Sequence, residues 1–103
     1  MNWSGTKTLV TGGASFIGSH LVDALVARGA TVRVADDLSS GKLENLHKSI
    51  DHVEFMEGDL RDRAFADQAT AGREVVFHLA ASHGGRGYID THPVECSTNM
   101  ILD

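Results

Sequence analysis

An α/β fold built on a doubly wound parallel sheet is the prediction, and three observations carry it. Short β-prone runs alternate with segments of helical period along the chain. A glycine-rich turn, Thr11-Gly12-Gly13-Ala14-Ser15-Phe16-Ile17-Gly18, joins the first strand to the first helix. The run Glu74-Val75-Val76-Phe77-His78-Leu79-Ala80-Ala81 is the least polar of the chain, as in a parallel strand covered on both faces. Right-handed crossovers between such strands imply the order 3-2-1-4.

The elements follow in turn. Lys7 to Thr11 is a short strand, and the helix after the turn places Ile17, Leu21 and Leu25 on one face, with Val22 and Val26 beside them. Gly29 after Arg28 is a stop signal. Thr31 to Ala35 is a second strand with Asp36 at its carboxyl end, followed by the polar loop Asp37-Leu38-Ser39-Ser40-Gly41-Lys42 and a short helical piece from Leu43 to Lys48. Val53 to Met56 forms a third strand. Glu57-Gly58-Asp59-Leu60 then turns into a helix from Arg61 to Thr70, and the apolar fourth strand follows. A last helix opens at Thr91-His92-Pro93, with a capping hydroxyl, a first-turn proline and Glu95 at its positive end. It meets no stop signal before Asp103, so residues 1–103 are expected to form one domain cut within a helix, the first half of a doubly wound sheet.

Composition narrows the function classes. The 103 residues carry a net charge of -5, and their lysines and arginines form no basic stripe that would mark a nucleic-acid partner. No apolar run is long enough to span a membrane, and Met1-Asn2-Trp3-Ser4 lacks the regions of a signal peptide. The single Cys96 excludes an internal disulfide framework and fits a reducing cytoplasm. A chain of this size buries little more than about 60% of its unfolded surface, so a homodimer, aggregation or association with a further C-terminal part is expected.

The chemistry lies in the glycine turn. Such a turn reverses the chain into a helix whose free N–H groups and positive dipole end face a pyrophosphate. Gly12 supports the tight turn and Gly18 lets the helix pack closely, but Ser15 stands where spacing by threes calls for a glycine. Its Cβ would crowd a phosphate while its hydroxyl would donate to one; weaker cofactor binding rather than none is expected. Asp36, about 20 residues past the turn, is placed to accept from ribose hydroxyls, and its charge favours NAD over NADP. Each piece alone occurs in ordinary loops; their order gives the reading its force. The strand ends at Gly12, Asp36, Asp59 and Ala80-Ala81 fall on one crevice. His92 and Cys96, four apart on the last helix with His83 nearby, lack a fourth ligand and are read as packing or surface residues, so no metal site is assigned. His78, in the apolar strand, is read as a hydrogen-bonded core residue.

These residues together resemble the N-terminal part of an extended short-chain dehydrogenase/reductase with a Rossmann-like fold, the NAD-dependent epimerase/dehydratase family that acts on nucleotide sugars. The resemblance implies that Thr11, Gly12, Phe16, Ile17 and Gly18 form the phosphate turn and that Asp36, Asp37, Leu38, Ser39, Ser40 and Gly41 form the adenosine-ribose loop. It further places Asp59 and Leu60 beside adenine, Leu79, Ala80 and Ala81 beside the cofactor, and Asn99 in support of the site. Ser15 for the middle glycine and Asp37 for a frequent asparagine are departures. The loop His83-Gly84-Gly85-Arg86-Gly87-Tyr88-Ile89 resembles one that borders the sugar in GDP-mannose 3,5-epimerase and its relatives; Gly84, Gly85 and Arg86 are thus substrate-binding candidates, with an ordinary surface loop as the equal alternative. The family's catalytic tyrosine is held by a lysine at the fourth position after it, whereas Tyr88 is followed there by His92, so no catalytic residue is assigned. The expected function is the NAD-binding portion of a nucleotide-sugar epimerase or dehydratase, inactive by itself; the alternative is a stand-alone NAD-binding or regulatory module that dimerises without catalysis.

Overall fold

The computed structural model describes residues 2–80. They form four strands, β1 (Lys7–Thr11), β2 (Thr31–Asp36), β3 (Val53–Glu57) and β4 (Val75–His78), in the order β3-β2-β1-β4 with every pair parallel. This is the expected topology. Of the described part of the apolar run, Val75–His78 is the strand that pairs with β1, and the Leu79 N–H still reaches the Thr11 carbonyl at 3.1 Å as the chain leaves it.

Successive strand side chains point to opposite faces, and the core divides accordingly. Val10, Val34 and Phe77 pack with Val22 and Leu25 of α1 (Phe16–Ala27) on one face. Leu9, Ala35 and Val76 pack with Ala69 of α2 (Arg63–Thr70) on the other. Leu9 and Val10 are both fully buried, so β1 is covered on both sides.

The face of α1 is the expected one except at its first turn, with Leu21 and Val26 packed partly buried against the core. Gly18, Ser19, Val22 and Leu25 are its buried residues, while Ile17 is 71% exposed, as is Phe16. The cause is Gly18. A Cβ there would collide with the Gly12 carbonyl oxygen and lie 2.8 Å from the Gly13 Cα, so the helix rests on the turn at this residue. A helix advances about 100° per residue, and contact through residue 18 rotates residue 17 outward. The other end closes as expected: Gly29, at φ 83, donates to Val26 O and Ala30 donates to Leu25 O, the paired bonds of a Schellman cap.

Two further expectations shift. The piece placed from Leu43 to Lys48 is a 3-10 helix over Leu43–Leu46, and a second, unforeseen one covers Ile50–His52. α2 starts at Arg63 rather than Arg61, because the Asp62 carboxylate accepts the Ala64 N–H at 3.0 Å and caps the helix. Arg61 is left outside. The loop around Gly84, Gly85 and Arg86, the helix opening at Thr91, and Ala81 and Asn99 lie outside the described residues. No helix among the described residues is long and apolar enough to cross a membrane.

Candidate functional site

The carboxyl ends of all four strands open onto one cavity of ≈ 320 Å³, reached by Gly12 after β1, Asp36 of β2, Gly58 after β3 and His78 of β4. A crevice at the carboxyl ends of parallel strands is where such sheets bind ligands.

The phosphate turn forms one wall. Gly12 has φ 69, a left-handed conformation that side chains disfavour, and a Cβ on it would lie 2.9 Å from the Ala80 nitrogen. Ser15 caps α1, its Oγ accepting the Gly18 N–H at 3.0 Å, and it lines the cavity. The hydroxyl proton is not used in that bond. At the head of α1, the N–H groups of Phe16 and Ile17 have no acceptor among the described residues. They are the free donors that a helix start presents to an anion.

Asp36 ties this turn to the next loop. It is 7% exposed, with Oδ2 accepting the Ala14 N–H at 2.9 Å and Oδ1 the Leu38 N–H at 2.8 Å. The second bond holds Leu38 at φ 62. Ala14 O in turn accepts from Lys42 N at 3.1 Å and from the Asn45 Nδ2 at 2.8 Å. Gly41 lies so close that a Cβ on it would meet the Ala14 carbonyl carbon at 2.8 Å. The phosphate turn and the loop after β2 are therefore one hydrogen-bonded unit.

On the open side, Asp37, Ser39, Ser40 and Gly41 line the cavity. The Ser39 hydroxyl, at 2.7 Å, and the Ser39 N–H, at 2.9 Å, both donate to Asp37 and hold its carboxyl below the usual 3.8. Across the cavity, Asp59, Leu60 and Arg61 form the wall after β3. Asp59 takes the Arg61 guanidinium on both oxygens, and these hydrogen bonds lower its carboxyl below 3.8 and raise the guanidinium in return.

The remaining wall is the exit from β4. Thr11 Oγ1 accepts from Leu79 N at 3.0 Å and Ala80 N at 3.2 Å and stands 2.7 Å from His78 Nδ1. His78 is thus a hydrogen-bonded core residue, as expected.

Of the residues singled out in the sequence, Gly12, Ser15, Asp36, Asp37, Ser39, Ser40, Gly41, Asp59, Leu60, Leu79 and Ala80 meet at this cavity. Phe16, Ile17, Gly18 and Leu38 do not line it; the first two stand at the head of α1, and the other two shape the turn and the loop. Sequence reasoning missed Asn45 and Arg61. Nothing in the spacing marks Asn45, but an arginine two residues after Asp59 was a visible signal. No cluster of three or more metal-ligating side chains occurs among the described residues.

The sequence model of the NAD dependent epimerase/dehydratase family matches residues 8–102. UDP-glucose 4-epimerase of Mycolicibacterium smegmatis is 43% identical over 98 residues, covering 92% of this chain and 31% of that protein. Among solved structures, UDP-glucose 4-epimerase from Brucella ovis in complex with NAD superposes with a TM-score of 0.66 at 35% identity, covering 75% of this chain and 23% of that one. A dTDP-glucose 4,6-dehydratase from Streptomyces venezuelae with NAD and DAU bound gives 0.68 at 35% identity, covering 92% and 32%. The chain spans about a third of the length of the curated relatives it matches.

Proposed function

Because this chain belongs to the NAD-dependent epimerase/dehydratase family, we propose that its cavity holds the adenosine and pyrophosphate parts of NAD and that the chain is the cofactor-binding portion of a nucleotide-sugar epimerase or dehydratase. The observation that carries this is the meeting, at one cavity, of the Ser15 hydroxyl at a helix start with the carboxylates of Asp36 and Asp59, beside the Phe16 and Ile17 N–H groups that have no acceptor among the described residues. The donor set fits the cofactor. The Phe16 and Ile17 N–H groups and the Ser15 hydroxyl face the pyrophosphate, Asp36 and the Ser39 loop take the ribose, and Asp59 with Leu60 flanks adenine. By family resemblance, Ala81 and Asn99 are further candidates for contact with the cofactor, and Gly84, Gly85 and Arg86 for contact with the sugar. NAD supplies hydride transfer to and from a sugar carbon; these residues bind and orient it.

Proton transfer from the sugar hydroxyl belongs to a tyrosine paired with a lysine, which this stretch does not supply, since Tyr88 is followed by His92 at the lysine's place. NAD binding without turnover is therefore expected of the chain. β4 pairs with no strand beyond β1 among the described residues, which supports association with a second copy or with further chain.

Isothermal titration with NAD tests the reading, with Asp36→Ala as the comparison and circular dichroism to show that both proteins fold. Saturable heat in the wild type that is lost in the variant is expected. Equal heats from the two would remove Asp36 from the site, and no heat from a folded wild type would end the assignment.

A further inference from the structure

Among the described residues, four charged ones line the cavity: Asp36, Asp37, Asp59 and Arg61. Three are carboxylates, and the single cation is engaged. Arg61 Nε lies 3.1 and 3.0 Å from the two Asp59 oxygens, Nη2 lies 2.7 Å from Oδ2, and the Arg61 backbone N–H donates to Oδ1 at 2.9 Å. One carboxylate thus fixes the direction of the guanidinium. The same cation interacts favourably with Asp37, on the loop that carries Ser39 and Ser40 across the cavity, so Arg61 stands within electrostatic reach of the ribose end.

A cofactor carrying a 2′-phosphate at that end needs an arginine to receive it, because a guanidinium binds a phosphate through two parallel donors. Arg61 has the chemistry and sits in the right wall. Its Nε and Nη2 are held on Asp59, which turns the guanidinium toward that carboxylate and offsets its charge. We propose that the Asp59–Arg61 pair is a cofactor-selectivity device, in which Asp59 sequesters the cation that would otherwise admit a 2′-phosphorylated dinucleotide. The inference rests on the cavity taking NAD. It adds to Asp36 a second reason for the rejection of NADP, one that works by withholding an attraction rather than by repulsion. The pair is solvent-exposed, with side-chain exposures of 76% for Arg61 and 42% for Asp59, and exposed ion pairs are weak. The guanidinium is therefore easily released once its partner's charge is removed.

The test compares the binding of NAD and of NADP by isothermal titration in four proteins: wild type, Asp59→Asn, Arg61→Gln and the double variant, with thermal melts to show that each folds. Asp59→Asn is expected to shift the NADP-to-NAD affinity ratio toward NADP by about tenfold, the scale of one charge-assisted contact. Removing the Asp59 charge also lessens repulsion of a phosphate, and the double variant separates the two effects. If Arg61 receives the phosphate, the gain disappears in Asp59→Asn/Arg61→Gln. Arg61→Gln alone leaves Asp59 uncompensated and is expected to keep or strengthen the preference for NAD. Equal gains in the single Asp59 variant and the double variant, or no gain in Asp59→Asn while NAD still binds, overturn the inference alone. Failure of the folded wild type to bind NAD overturns the proposed function and the inference together.

Discussion

At Asp36 one carboxylate accepts the Ala14 N–H through one oxygen and the Leu38 N–H through the other, so it shapes the phosphate turn and the ribose loop at once. Loss of NAD binding on its truncation would combine two effects, and Asp36→Asn, with one acceptor oxygen, helps to separate them. Ser15 poses the complementary case. Its hydroxyl caps α1, so Ser15→Ala is expected to lower stability by about 1 kcal/mol and Ser15→Gly by only a few tenths, as read by urea unfolding. Both lose the free hydroxyl proton, so NAD affinity should fall in each; a rise with Ser15→Gly would instead make crowding by the Cβ the dominant effect. For Asp59 the sign of the pH effect is fixed by Arg61. Its carboxyl titrates below the ordinary 3.8 in the folded chain, so whatever this pair adds to stability is present above 3.8 and is lost as the pH falls through the lowered value. Carboxyl NMR titration should place the Asp59 midpoint below 3.8 in the wild type and return it toward 3.8 in Arg61→Gln.

At the scale of elements, α2 is anchored from the sheet. Arg33 of β2 donates through Nη1 to the carbonyls of Gln68, Ala69 and Ala71 at 3.1, 2.9 and 3.0 Å, supplying a cation to a helix end with no basic residue in its own last turn. Its ion pair with Glu54 is exposed on the acidic side, so the carbonyl bonds dominate. Arg33→Met should cost about 2 kcal/mol and Glu54→Gln less than about 1 kcal/mol in urea unfolding. All four strands were legible because parallel strands, buried on both faces, write apolar runs that stand out from their surroundings. On α1 only Ile17 was misplaced, because the helix makes its closest contact through Gly18, which adds nothing to a hydrophobic period. The start of α2 was misplaced by two residues because Asp59 and Asp62 are both capping residue types, and only the position of Arg61 shows which of them caps the helix. The cavity was largely legible from motif order, while Asn45, which holds the Ala14 carbonyl, sits on a 3-10 helix that no periodicity announces.

For the whole molecule, ligand binding and stability share one account. NAD at a hundred times its dissociation constant should stabilise the fold by about 2.7 kcal/mol and raise the melting temperature by roughly 10 °C. Differential scanning fluorimetry reads this directly. Gly18→Ala, which forces a methyl against the Gly12 carbonyl, should lower the melting point without ligand and abolish the shift with it. The order β3-β2-β1-β4 puts the first strand at the centre and brings its partner on one side from the far end of the described chain. Thr11 and His78, which meet across that pairing, are 67 residues apart in sequence. Closing so long a loop is entropically slow and comes without reward until both ends dock. The Leu79–Ala80 wall of the cavity therefore exists only once β4 has docked on β1, so that a chain still on its way to the folded state has no complete site to offer, and cofactor affinity becomes a measure of how much of the population has finished folding.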